Sequence, residues 1–331
     1  MSLGRRLIST AGAADVSLFK VVLYTGNAST KSVTGVGFQP DLVWVKDRNQ
    51  GVRHLLTDSV RGTASQIFSN ETLAAQNYLE FTSFDANGFT VDFNSGTQYF
   101  NNSGTDYVAW CFKGGGSVSS GNNTSGSVAS TVSANSDAGF SIVKWNGDGT
   151  NTQTVGHGLD YPPEIVIMKS LSSSVWYVLT TVISGTNPAY LQLESTAIAN
   201  SGTFTSTSTT FTNFAYGGDT IAYCFHSVSE YSKIGTYTGA TSGVTENIGF
   251  EPSMVIIKNA TQSDPWGIFD NKRPSGTGNR SYLYPSTADD EDVYGGSLSG
   301  LTLTSTGFAI DNTNSHMVNQ DGQTYLYMAF K

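Results

Sequence analysis

One set of landmarks recurs three times along the 331 residues, always in the same order. A chain of this kind reuses one supersecondary unit instead of building a single large fold. The opening segments are Lys20–Asn27 (KVVLYTGN), Phe140–Asp148 (FSIVKWNGD) and Lys233–Gly239 (KIGTYTG). The middle segments are Gly37–Lys46 (GFQPDLVWVK), Gly158–Lys169 (GLDYPPEIVIMK) and Gly249–Lys258 (GFEPSMVIIK). The closing segments are Tyr107–Lys113 (YVAWCFK), Thr220–His226 (TIAYCFH) and Tyr325–Lys331 (YLYMAFK). A further stretch precedes each closing segment. It reads FDANGFTVDF from Phe84 and LTSTGFAID from Leu303, with a weaker version at Phe204–Phe211.

Each landmark has a physical reading. The Gly–x–x–Pro step is a turn, because proline fixes φ and has no N–H to give to a central strand. The runs after it, such as Leu42–Val45, are short and wholly apolar, as strands buried on both faces are. Asn87-Gly88 between alternating segments is a hairpin turn. Ser69–Tyr78 is the one stretch that reads as a short helix. Charged residues are 13% of the chain, about half the usual share, while glycine reaches 36 and aromatics 12%. Such a composition suits twisted sheets joined by many turns, with hydroxyls and amides supplying the polar surface.

The expected architecture is therefore all-β: three tandem antiparallel β-sandwiches, jelly-roll or lectin-like, behind a short N-terminal arm. The boundaries are 1–18 for the arm, 19–116 for the first copy, 117–136 for a Gly/Ser/Asn-rich linker, 137–228 for the second copy and 229–331 for the third. The long linker before copy two and the short one at His226–Glu230 predict that copies two and three pack together while copy one stands apart. The arm carries Arg5, Arg6, Leu7 and Ile8. That apolar centre is too short for a signal-peptide core, and an arm that orders against a partner is the expectation.

The residues "LYTGN", "GFQPDLVWVK", "DSVRG" at Asp58–Gly62, "SFDANGFTV" and "YVAWCFKGGG" resemble an uncharacterised repeated domain of tailed-phage virion structural proteins, particularly those of cyanophages. The resemblance is close over residues 18–116 and looser over the third copy. Copy two departs most, with Ile167 in place of Trp44 and no evident "DSVRG". The resemblance implies a protein of the phage particle, made in the bacterial cytoplasm. It implies a tail fibre or tail-associated adhesin, with a head-decoration (cement) protein and a polysaccharide-degrading tailspike as alternatives. It carries no catalytic residues and no cofactor. The implied partners are other virion proteins, reached through the arm, and further copies of the chain.

Chemistry-bearing constellations are sparse. A net charge of −9 argues against nucleic acid and against an anionic membrane surface, and no run approaches the length of a membrane helix. Cys111 and Cys224 share one register position, where copy three has Ala329, so they read as small buried residues rather than a disulfide. His54, His157, His226 and His316 match no zinc spacing. Asp58 with Arg61 reads as a structural turn and ion pair, and Asp289–Asp292 as a solvated acidic loop. Lys46, Lys169 and Lys258 read as the points where the buried strands meet solvent. Trp176, Tyr177, Trp266 and Tyr284 are the candidates for stacking on a host-surface saccharide or on a partner. No catalytic, metal or cofactor residue is expected.

Overall fold

The computed structural model describes residues 18–94, 99–116, 120–183, 188–214, 216–273, 275–276, 279–295, 300–312 and 315–331. The candidate arm residues Arg5, Arg6, Leu7 and Ile8 lie outside them. Among the described residues there is no helix, and the named strand pairs are all antiparallel. The all-β expectation holds. Ser69–Tyr78 is turn and loop instead of helix, with Gln66 bridging Gln76.

Three main sheets share one strand order. In copy one it runs Phe19–Thr25, Asp106–Phe112, Leu42–Asp47, Leu55–Asp58; in copy three Ser232–Thr238, Thr324–Phe330, Met254–Asn259, Gly267–Asp270. Copy two has Phe140–Asp148, Gly217–Phe225, Ile165–Ser170 and Trp176–Thr180 in the same order, widened by Thr131–Asn135 on one side and by Ala189–Gln192 and Asn200–Ser201 on the other. The Gly/Ser/Asn-rich segment is thus not a free linker: its end is a sheet strand of copy two. A smaller sheet covers each main sheet. It has three strands in copies one and three, with the hairpins Phe81–Asp85/Gly88–Val91 and Leu301–Thr304/Gly307–Ile310. In copy two, where the sequence pattern is weakest, only Thr154–Gly156 and Thr210–Thr212 remain.

Alternation along the closing strands explains the rest. Tyr107, Ala109 and Cys111 point into the core of their own sandwich, whereas Val108, Trp110 and Phe112 point the other way. The same split sends Ala222 and Cys224 inward and Ile221, Tyr223 and Phe225 outward in copy two. In copy three it sends Tyr325, Tyr327 and Ala329 inward and Leu326, Met328 and Phe330 outward. The three outward faces meet one another in a single central core. At its centre the equivalent residues Phe112, Phe225 and Phe330 form a triangle of rings, with centroids 5.9, 5.3 and 5.6 Å apart. The sandwiches are lobes of a closed, threefold-like ring, and copy one does not stand apart. A shared apolar face has no reason to spare one of three equivalent sheets.

Two glycine positions are fixed by this geometry. Gly37, Gly158 and Gly249 open the three middle segments with φ of +89°, +72° and +92°, which a side chain would strain. At Gly26, Gly147 and Gly239, at or just past the end of each opening strand, a Cβ would stand 2.1 Å from the carbonyl oxygens of Asn102, Tyr216 and Gln320. Cys111 and Cys224 are free and buried, as expected, and burial pushes both thiols far up from their ordinary value.

Candidate functional site

The most elaborate side-chain chemistry lies at the three seams between lobes, in two tiers. In the tier near the starts of the middle strands, Asp58 and Arg61 form a buried ion pair of 2.6 Å. Arg61 also donates to Leu56 O at 2.9 Å. Across the seam, Tyr223 of lobe two donates to Asp58 Oδ2 at 2.8 Å and accepts from Arg61 at 3.2 Å. Lobe three repeats the device. Asp270 pairs with Arg273 at 2.7 Å, Arg273 donates to Ile268 O at 2.9 Å, and Trp110 Nε1 of lobe one donates to Asp270 Oδ2 at 3.1 Å. Lobe two lacks it. Strand register places Thr180 where the other lobes have Asp, Ile183 falls where they have Arg, and Met328 is lobe three's equivalent of Tyr223 and Trp110. Ile183 and Met328 belong to the central core, so in this tier the seam is apolar where the other two are ionic.

The second tier lies at the other ends of the middle strands. Equivalent main-chain bonds cross all three seams: Ala75 N to Leu171 O at 2.9 Å, Ala199 N to Ala260 O at 2.8 Å and Glu291 N to Arg48 O at 3.0 Å. Trp176 Nε1 donates to Phe68 O of lobe one at 2.8 Å, and Trp266 Nε1 to Gln192 O of lobe two at 2.9 Å. The third member of this set is His54, which accepts from Trp44 Nε1 at 3.2 Å. Burial drives its imidazole well below the ordinary value, against the pull of the Tyr284 main chain. Arg48 and Glu291 add a two-pronged pair across the seam between lobes one and three.

The three lysines are not where strands meet solvent. Lys46, Lys169 and Lys258 are 0% exposed. Lys169 Nζ donates to Ser172 O and Ser174 O of its own loop and, across the seam, to Thr72 O at 3.2 Å. Lys258 Nζ donates to Asn259 O, Asp264 O and, across the seam, Thr196 O at 3.1 Å. Lys46 Nζ donates to Asp47 O and Gln50 O, and feels the charges of Asp289 and Asp290 from lobe three. An ammonium has three donors and needs carbonyl acceptors once it leaves water. Desolvation pulls each lysine from 10.5 down to about 8.

That shift sets a pH dependence. Between about pH 8 and 10.5 the unfolded chain holds protons on these lysines that the folded chain has released, so stability rises with pH across that window. The buried tyrosines Tyr24, Tyr107, Tyr223 and Tyr237 act oppositely. Burial raises their values, so their contribution is complete below about pH 10 and is lost above it. Urea midpoints should therefore be higher at about pH 9.5 than at about pH 7.5, and Lys258→Met should remove its share of the rise. A flat or falling profile between those pH values refutes the assignment.

Of the candidate contact aromatics, Trp176 and Trp266 are 0% and 1% exposed. They contact the neighbouring lobe, not solvent, and this removes them as a surface platform for sugar. Residue type alone, which made them stacking candidates, could not reveal a lobe packed over them. Tyr177 is half-buried among Tyr190, Phe214 and Tyr216, and Tyr284 is half-buried with its hydroxyl on Tyr282 at 3.0 Å. Glu291, within the acidic run, turns inward to Arg48 and approaches Arg273 at 3.8 Å. Among the described residues, no cluster of His, Cys, Asp and Glu could hold a metal ion.

One open groove, of about 510 Å³, lies on lobe two between Tyr161–Glu164, Thr181, Ser206 and His226-Ser227. Tyr161 is 65% exposed and meets His226 edge-to-face with centroids 5.4 Å apart. Glu164 Oε2 accepts from Ser227 N and Oγ, and Ser206 Oγ donates to Pro163 O. His226 is 6% exposed, with Nδ1 on Ser227 O at 3.0 Å and Nε2 lacking a partner. The reading of the residues missed this groove. The available signal was the departure of copy two from its sisters at Tyr161-Pro162 and at His226, where the others have Lys113 and Lys331.

A family profile described as "Domain of unknown function (DUF7483)" matches residues 15–331. No curated protein and no solved structure matches the chain.

Proposed function

We propose that this chain, which belongs to the DUF7483 family of domains of unknown function, is a structural module of a bacteriophage particle, tail-associated and contributing to host attachment. The observation that carries the reading is the closed ring of lobes. Its seams commit the buried pairs Asp58–Arg61 and Asp270–Arg273 and the buried lysines Lys169 and Lys258 to holding lobe against lobe, which is work of assembly and not of chemistry. The low charge of the surface fits large protein contacts and saccharide contact better than nucleic acid. The sequence resemblance to virion structural proteins points the same way.

Anchorage is assigned to the N-terminal arm. The residues proposed to make it are Arg5, Arg6, Leu7 and Ile8. The test is direct. Gold-labelled antibody against the recombinant chain should decorate the tails of purified particles, and soluble recombinant protein should slow adsorption to host cells. Label confined to heads, or absent from particles, would overturn the reading.

A further inference from the structure

The three copies provide an internal comparison. What the shared scaffold requires recurs in all of them, and a solvent-facing feature present in one alone is surplus to the fold. Five residue steps separate Gly37 from Leu42 and Gly249 from Met254, but seven separate Gly158 from Ile165. The two extra residues place Tyr161 and Pro162 at the groove of lobe two, and the same lobe has His226 where its sisters end in lysine. Copy two therefore differs from both sisters where the groove is built.

We propose that this groove binds a neutral sugar ring, a hexose or N-acetylhexosamine unit of a bacterial surface glycan, stacked on Tyr161. The exposed phenol ring is braced from beneath by His226 and followed by two prolines that restrict its backbone. The C–H face of a pyranose carries partial positive charge and meets the negative face of an aromatic ring favourably. Around the ring stand hydroxyls of Thr181 and Ser206. His226 serves the groove through its ring, packed edge-to-face under Tyr161, while its Nε2 stays buried. No lysine or arginine lines the groove, and Glu164 contributes a carboxylate, so a phosphorylated or carboxylated ligand is disfavoured. The volume of about 510 Å³ is in the range of small-ligand sites. The proposal rests on the attachment reading for the source of the glycan, but not for the chemistry of the groove.

The full chain, probed on a printed array of bacterial surface oligosaccharides and by saturation-transfer NMR with free hexoses and N-acetylhexosamines, should retain neutral glycans. Tyr161→Ala should weaken that binding at least tenfold with an unchanged melting temperature, since its ring is mostly in water. His226→Lys, which installs the residue of copies one and three, should weaken it as well. The groove assignment fails if the wild type retains no neutral glycan, if Tyr161→Ala binds equally, or if only anionic glycans or proline-rich peptides bind. Failure there with the label still on phage tails overturns the groove alone. Glycan binding by a protein absent from particles overturns the virion role and leaves the groove standing.

Discussion

Replacing Arg61 with alanine should destabilise the protein by about 3–5 kcal/mol, a fall in Tm on the order of 10 °C, because the change strands a buried carboxylate. Asp58 is fully buried, and without Arg61 its remaining side-chain partner at the seam is the Tyr223 hydroxyl. The molecule already contains the remedy. At the seam between lobes two and three the equivalent positions are Thr180, Ile183 and Met328, packed without any charge. The triple variant Asp58→Thr, Arg61→Ile, Tyr223→Met transplants that chemistry and should return stability to within about 2 kcal/mol of wild type, since ionic and apolar versions of a buried contact are often near-equal. Denaturant titration of wild type, single and triple variants decides it. A triple variant no more stable than Arg61→Ala would show that the seams are not interchangeable.

Copy one expressed alone, as residues 19–116, should fail to give a folded monomer. Separation uncovers Phe19, Val21, Trp44, Leu56, Trp110 and Phe112, all buried in the ring, as one contiguous apolar face. A face of that kind aggregates or finds copies of itself. The intact chain should accordingly melt in one transition, with calorimetric and van't Hoff enthalpies equal, despite having three sandwich cores. Size-exclusion chromatography of the fragment and calorimetry of the whole chain test the two halves of this claim. A monodisperse, cooperatively folding single copy would refute it, as would three resolved melting transitions.

What was legible in the residues was whatever recurs. The Gly–x–x–Pro turns, the doubly buried middle strands, the shared Cys/Cys/Ala position and the Asp58–Arg61 pair all carry the same local physics in each copy that has them. The ring was not legible, because the recurring Phe112, Phe225 and Phe330 read as ordinary core residues, and many of the seam positions differ between copies: His54, Trp176 and Trp266 occupy one position, and Asp58, Thr180 and Asp270 another. The buried lysines were misread for a different reason. Their partners are main-chain carbonyls, which every sequence has and no sequence pattern advertises. Ser69–Tyr78 has helix-forming residues, yet Ala75 N is held by Leu171 O of the next lobe, and that tertiary contact overrides propensity.

Carrying all three lobes on one polypeptide also changes the arithmetic of mutation. In an assembly of three identical subunits, every substitution strikes three interfaces at once and its cost is tripled before any benefit appears. Here each change falls on a single seam. One junction has traded its ionic contact for an apolar one, and one lobe has lengthened a loop, while the other two keep the ring intact. Fusion thus frees one third of the molecule to specialise.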